Sequence, residues 1–133
     1  FLSMNAPVQW AMPKWLGGRK RIQEQIAARV QANLAALDRQ LAGQEAVQRL
    51  QVEGGWYAVL RVPALEPDEE TAKRLLGQGA LVHPGYFFGM EESGWLVVSL
   101  LGREAEVARG VEVIVDLFRT NQGSNNFGIP YKV

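Results

Sequence analysis

The sequence predicts an α/β domain of the α+β two-layer type: a small sheet of three or four strands with helices packed mainly on one face. Three observations predict it. Apolar residues recur at near-helical spacing over Arg19–Leu41, side chains alternate between two faces over residues 56–62, and an apolar strand at 95–101 leads directly into another helical pattern. A chain of 133 residues is expected to form one domain with its own core.

The N-terminal third is predicted to be helical. A short helix over residues 7–15 is expected, because Pro7 suits a first helical turn and Gly17 ends it. The pattern over Arg19–Leu41 contains neither glycine nor proline, and at about 1.5 Å per residue it spans roughly 35 Å. That length exceeds what so small a core needs, so the helix is expected to extend beyond the core.

The middle of the chain alternates between extended and helical patterns. Residues 47–52 are predicted to be a short extended segment, and residues 56–62 a strand with Ala58 and Leu60 on one face and Val59 and Arg61 on the other. A helix is expected from Pro67, with acidic residues in its first turn, where the helix dipole favours them. Residues 80–83 are predicted to form a short strand that Pro84 ends.

The C-terminal third is predicted to hold the last strand and the last helix. In the strand at 95–101, Leu96, Val98 and Leu100 are expected to face the core, with Val97 on the opposite face. The final helix is predicted over residues 103–119. From 120 to 133 the sequence is rich in asparagine, glycine and serine and is interpreted as a polar tail.

Composition excludes several classes of partner. Fourteen basic and fourteen acidic residues give a net charge of zero, which argues against nucleic acid and against an anionic membrane surface, since both select clustered positive charge. There is no cysteine, which fits a reducing compartment, and the apolar runs are far shorter than a bilayer span. The N-terminal residues lack the basic region and cleavage site of a signal peptide. A cytoplasmic location is therefore expected.

Residue types alone indicate no active site. The single histidine, His83, is interpreted as a strand-end residue with a local hydrogen bond, and one histidine gives no histidine-based metal cluster. Neither a GxGxxG nor a P-loop pattern is present, and no serine lies in a nucleophile elbow. The residues alone predict no catalytic, cofactor-binding or metal-binding residue in this chain. They leave open a self-contained α/β module for ligand binding or dimerisation.

Four landmarks, in order, resemble a known family. They are residues 2–11, the Arg29 and Asn33-Leu34 spacing inside a long helix, Gly54-Gly55-Trp56-Tyr57, and His83-Pro84-Gly85. Together they resemble the C-terminal small domain of fold type I aminotransferases of class I/II, which depend on pyridoxal phosphate (PLP). The resemblance implies that residues 1–18 are the remnant of a handover segment from a large domain. It also implies that 19–119 are the small domain, that 120–133 are the tail, and that a chain starting without methionine begins mid-domain.

The resemblance implies a reaction that needs a cofactor-binding lysine outside this chain. In such enzymes PLP forms a Schiff base with a lysine upstream of this region and acts as an electron sink. The lysines here, Lys14, Lys20, Lys73 and Lys132, all follow the expected position. The chain is therefore expected to bind no cofactor and to catalyse nothing alone. Its expected partners are a missing N-terminal PLP-binding large domain, a second copy in a homodimer, and an amino acid or keto acid substrate. A PLP-dependent lyase or decarboxylase of the same fold is the alternative.

Three residues are expected to meet the substrate in the intact enzyme. Family members commonly have an arginine for the substrate carboxylate at the position of Val97, so the resemblance implies an apolar wall there. Arg61, on a neighbouring strand, is the candidate that would bind the carboxylate instead. Tyr86 follows the Pro-Gly turn that lies near the family's active-site entrance, although packing is the competing interpretation of this aromatic run.

Overall fold

The computed structural model describes residues 3–123, and side chains as far as Arg119. The elements in chain order are α1 (Ala6–Gly17), α2 (Arg19–Leu41), β1 (Gln48–Arg49), β2 (Tyr57–Arg61), α3 (Asp68–Gly77), β3 (His83–Pro84), a 3₁₀ helix (Gly85–Phe88), β4 (Trp95–Ser99) and α4 (Glu104–Gly123). No helix in this described part of the chain is long and apolar enough to cross a membrane.

The four strands form one antiparallel sheet in the order β1-β2-β4-β3. Helices α2, α3 and α4 pack on one face of it, where Leu37, Leu75 and Ile114 join the inward residues of β2 and β4 in the core. Those inward residues are Ala58, Leu60, Leu96 and Val98, as the alternation predicts. The predicted fold class, a small sheet with helices mainly on one face, is confirmed.

The two N-terminal helices follow from local sequence signals. The side chain of Asn5 caps α1 by accepting a hydrogen bond from the Val8 amide at 3.1 Å, so the helix begins one residue before Pro7. Helix α2 has the bounds that its pattern predicts. Residues 19–28 of α2 are all exposed, and only Asn33 and Leu37 are buried in it, so the first half of the helix extends beyond the core as expected.

Buried polar side chains fix the second half of α2 to the sheet. Asn33 is fully buried, and its Nδ2 donates to the carbonyl oxygens of Leu100 at 2.8 Å and Gly102 at 2.9 Å. Arg29 donates to the same Gly102 oxygen at 3.2 Å. The Arg29 and Asn33 spacing therefore has a physical role, because it anchors the long helix to the turn between β4 and α4.

Several predicted boundaries are wrong: the strand predicted at 95–101 ends at Ser99, and Pro84 lies within β3 instead of ending the strand before it. The strand predicted at 80–83 begins only at His83, because the Ala80 amide donates back to Leu75 of α3 at 2.9 Å and is drawn away from β4. The last helix runs to Gly123, four residues past its predicted end. The remainder of the predicted tail, residues 124–133, lies outside the described residues.

Candidate functional site

The face of the sheet opposite the helices, here called the outer face, carries the candidate site. Register places its side chains in three rows across the strands: Tyr57 beside Ser99, then Val59, Val97 and His83, and then Arg61 beside Trp95. Side chains that alternate with the core residues of β2 and β4 must point to this face. The outer face is therefore fixed by the same alternation that builds the core.

An aromatic cluster, consisting of Tyr57, His83, Phe87 and Phe88, lies on the outer face. The His83 ring centroid is 6.1 Å from that of Tyr57 and 5.9 Å from that of Phe88, and Tyr57 and Phe88 meet edge to face at 5.5 Å. Phe87 contacts His83 at 6.1 Å. The members of the cluster come from β2, from β3 and from the 3₁₀ helix. They can meet because β2 and β3 lie on the two sides of β4.

The 3₁₀ helix carries Phe87 and Phe88, and its first residue packs closely against β4. It follows β3 directly and ends at Gly89, whose backbone has φ of +78°, a conformation that favours glycine. At its start, Gly85 lies so close to β4 that a Cβ there would be 2.5 Å from Cβ of Trp95. The absence of a side chain at Gly85 is therefore a condition for this turn.

His83 lies at the centre of the aromatic cluster with one nitrogen unpaired. Its Nδ1 is buried and has no hydrogen-bond partner among the described residues, so the local hydrogen bond predicted for this histidine is not formed at that atom. Buried polar atoms in native proteins nearly always have a partner in the protein, in ordered water or in a ligand. His83 therefore adds an unused hydrogen-bonding atom to an otherwise apolar group of rings.

Arg61 occupies the row at the other end of the outer face. Its guanidinium carbon lies 4.5 Å from the centroid of the Trp95 ring, within the range of a cation–π contact. Its Nη1 donates to the Ser93 carbonyl oxygen at 3.1 Å. These two contacts orient the planar guanidinium and leave further N–H groups for an anionic ligand.

The carboxylate of Asp68 fixes the start of β4, where Trp95 contacts Arg61, through hydrogen bonds to the backbone. This role was not predicted from the sequence. Asp68 is the first residue of α3 and is buried, and its carboxylate accepts hydrogen bonds from the Gly94 amide at 2.6 Å and the Trp95 amide at 3.3 Å. From the sequence, this residue was predicted only to be one of the acidic residues in the first turn of a helix, where the helix dipole favours them. Its second role joins residues 26 positions apart, and no local pattern signals such a contact.

The three residues predicted to meet substrate lie in different parts of the outer face. Val97 has only 1% of its surface exposed, and Val59 and His83 lie on its two sides. This row is therefore the mainly apolar floor on which a ligand at the outer face would lie. Tyr86 is 51% exposed and reaches the aromatic cluster through Phe87, whose ring centroid is 4.8 Å away. Arg61 lies one row from Val97. The contact of Tyr57 with Phe88 was not predicted from the sequence.

A lysine that binds PLP must have an amine that loses its proton readily. Lys73 does not fit, because its ammonium group contacts Glu69 at 2.9 Å and Glu70 at 3.0 Å, and hydrogen bonds to these carboxylates raise its pKa. Lys14 and Lys20 lie on exposed helix surface, and Lys132 lies outside the described residues. Within residues 3–123, no three acidic or histidine side chains gather as a metal site either. Among the described lysines, Lys73 is thus the one whose environment most clearly opposes loss of the proton.

Comparisons with known proteins give no sequence match but clear structural likenesses. No protein-family model and no curated protein matches the chain. The fold is similar to that of a PLP-dependent aminotransferase from Streptococcus suis, with a TM-score of 0.70 and 21% identity over 79% of this chain and 28% of that one. It is also similar to tyrosine aminotransferase from Leishmania infantum, with a TM-score of 0.64 and 22% identity over 73% of this chain and 25% of that one.

A third solved structure, α-aminoadipate aminotransferase from Thermus thermophilus, has a TM-score of 0.64 and 20% identity. The likeness covers 87% of this chain and 29% of that one. This chain thus spans well under a third of the length of the solved structures described here. At these identities the likeness concerns the fold. It confirms the resemblance seen in the sequence: the chain has the fold of a segment, about a quarter in length, of PLP-dependent aminotransferases.

Proposed function

We propose that this chain is the C-terminal small domain of a PLP-dependent aminotransferase, which transfers an amino group between an amino acid and a keto acid. The observation that supports the proposal most is the asymmetry of the likenesses. They cover 65% to 87% of this chain but only 23% to 29% of the aminotransferases. Such coverage is what a small domain of a larger enzyme gives. In this proposal residues 1–18 are a handover segment, 19–119 the small domain and 120–133 a tail.

The proposal assigns PLP, and the lysine that binds it, to a large domain N-terminal to this chain. The exposed apolar side chains near the N-terminal end support a missing neighbour: Trp10 and Trp15 of α1, and Ile22 and Ile26 of α2, are all more than a third exposed. Apolar surface of this kind commonly marks an interface. A homodimer in the cytoplasm is part of the same proposal.

The outer face is the part of this domain that we assign to the substrate. Val97 and its row would form an apolar base, Arg61 would supply positive charge, and Tyr86 would line the approach. The support is chemical: the outer face combines open aromatic surface, an unpaired histidine nitrogen and an oriented guanidinium. Ligand sites are mostly apolar, with a few well-placed polar groups.

Covalent trapping of the cofactor tests the proposal. The complete protein and the 133-residue chain would each be incubated with PLP, reduced with borohydride, and mapped by peptide mass spectrometry. The complete protein should carry one stoichiometric adduct on a lysine outside this chain, and the chain alone should show only scattered labelling. The reason is that Lys73 is held as an ammonium ion by two carboxylates.

Three outcomes would contradict the proposal in different ways. A stoichiometric adduct on a lysine of the chain itself would mean that it holds its own cofactor site. A complete protein without any adduct would favour a stand-alone ligand-binding or dimerisation module. A complete protein that forms the adduct and that, in a separate unreduced sample, releases carbon dioxide or ammonia from the amino acid would indicate a lyase or decarboxylase of the same fold.

A further inference from the structure

The aromatic cluster presents ring surface that nothing in the described chain covers. Phe87 is 63% exposed, Phe88 is 46% exposed and Tyr57 is 37% exposed. These rings meet at tilted or edge-to-face angles, an arrangement that accepts a further ring against a free edge or face. The unpaired Nδ1 of His83 lies among them. This end of the outer face therefore suits an aromatic group.

The other end of the outer face suits an anion. Among the side chains that the register of β2, β3 and β4 places on this face, Arg61 is the only lysine, arginine, aspartate or glutamate. The cation–π contact with Trp95 and the hydrogen bond to the Ser93 oxygen restrict the orientation of its guanidinium. A guanidinium held in one plane matches the two oxygens of a carboxylate, which it binds through paired N–H groups.

The spacing of the rows indicates the size of the ligand. On β2, Arg61 lies two residues, about 6.8 Å, from Val59, whose row holds His83 of the aromatic cluster, and four residues from Tyr57. In an aromatic amino acid, the ring and the carboxylate are attached at opposite ends of a two-carbon link and span a comparable distance. The second carboxylate of an acidic amino acid would lie against the rings of the aromatic cluster, where it would find no cation.

We propose that the outer face selects an aromatic amino acid or the corresponding 2-oxo acid, with the ring against the aromatic cluster and the carboxylate on Arg61. The inference rests on the proposed function, because it names the substrate class of the same site. Arg61 and Phe88 are then determinants of specificity, and Val97 is the apolar base between them.

Donor preference in the complete PLP-loaded protein tests the inference. The rate of the cofactor's absorbance change on mixing would be measured for L-phenylalanine, for L-aspartate, and for 2-phenylethylamine, which has the ring but no carboxylate. L-phenylalanine should react fastest at equal concentration. Arg61→Gln should lower its kcat/KM by about 10- to 100-fold, as expected for loss of a hydrogen-bonded ion pair, and leave 2-phenylethylamine unchanged. Phe88→Leu should raise the KM for L-phenylalanine.

Controls separate this inference from the proposed function. Arg39→Gln, at an exposed position on α2, should leave all rates unchanged, and thermal unfolding of each variant would show whether its fold is intact. If no amine changes the spectrum, the proposed function itself is wrong. If L-aspartate reacts best, or if 2-phenylethylamine equals L-phenylalanine in the unmodified protein, the protein transfers amino groups but the assigned substrate class is overturned. The donor comparison needs no variant.

Discussion

Gly85 illustrates how a single residue determines the position of the aromatic cluster. A Cβ at this position would lie 2.5 Å from Cβ of Trp95 and 3.1 Å from both Oδ2 of Asp68 and Sδ of Met90. Glycine is needed here for space, since these three side chains leave no room for a methyl group. The 3₁₀ helix that carries Phe87 and Phe88 starts at this contact.

Gly85→Ala is therefore expected to lower the free energy of unfolding by about 1–3 kcal/mol, the usual cost of overpacking. Gly77→Ala is the matched control, because a Cβ at Gly77 meets nothing within 4 Å and the residue lies in helix α3. That variant should be neutral or more stable by up to about 1 kcal/mol. Urea titration of both variants measures the difference. Equal stability of the two would show that the turn is not closely packed.

At this scale the sequence predicts side-chain direction well and contacts poorly. The inward residues of β2 and β4, such as Leu60 and Leu96, follow from alternation, and the same rule places Arg61 and Val97 on the outer face. The contact of Asp68 with Gly94, and that of Tyr57 with Phe88, join positions far apart in sequence. Such contacts depend on the order of strands in the sheet, which the local pattern does not contain.

Among the elements, α2 is held to the rest of the domain by polar contacts along its second half. Gln40 donates to the Ala108 oxygen of α4 at 2.8 Å, and Asp38 forms a two-point ion pair with Arg49 of β1, in which one of the N–O distances is 2.9 Å. The bounds of α2 were predicted correctly because its helical pattern is long and uninterrupted. The start of β3 was predicted wrongly because a backbone bond from Ala80 to α3 outweighs local strand preference.

The ion pair between α2 and β1 should make stability depend on pH in acid. The hydrogen bond from Arg49 lowers the pKa of Asp38; desolvation opposes this shift, and the positive charge of Arg49 adds to it. A depressed pKa in the folded state means that the contribution is complete above the unfolded value, about 3.9, and is lost as the pH falls through the folded value. Because Asp38 is 46% exposed, solvent screening limits the contribution to about 0.5 kcal/mol.

The comparison of unmodified protein with Asp38→Asn isolates this contribution. Thermal unfolding should show a lower Tm for the variant at pH 6, with the difference disappearing toward pH 2–3, where the carboxylate of the unmodified protein becomes protonated in both states. Lys73, whose pKa is raised by carboxylates on its own helix, titrates far above this window. A difference in Tm that persists unchanged to the lowest pH would mean that the variant acts through packing and not through charge.

For the molecule as a whole, the two successive N-terminal helices expose several large apolar side chains. Residues 19–28 of α2 are exposed, and Ile22 and Ile26, one helical turn apart, are 55% and 39% exposed. Trp10 on α1 is 87% exposed. A monomeric protein rarely exposes large apolar side chains in such numbers within two successive helices, so these helices are expected to find a partner.

The 133-residue chain alone should therefore self-associate at micromolar concentration, and Ile22→Gln combined with Ile26→Gln should shift it toward monomer in sedimentation velocity. Both side chains are exposed, so the double variant should unfold at nearly the same temperature as the unmodified chain. Leu81→Gln removes a side chain that is 76% exposed and lies outside the two N-terminal helices, and it should leave association unchanged. If the unmodified chain is a monomer, the two N-terminal helices need no neighbour, and the chain is better explained as a self-contained module.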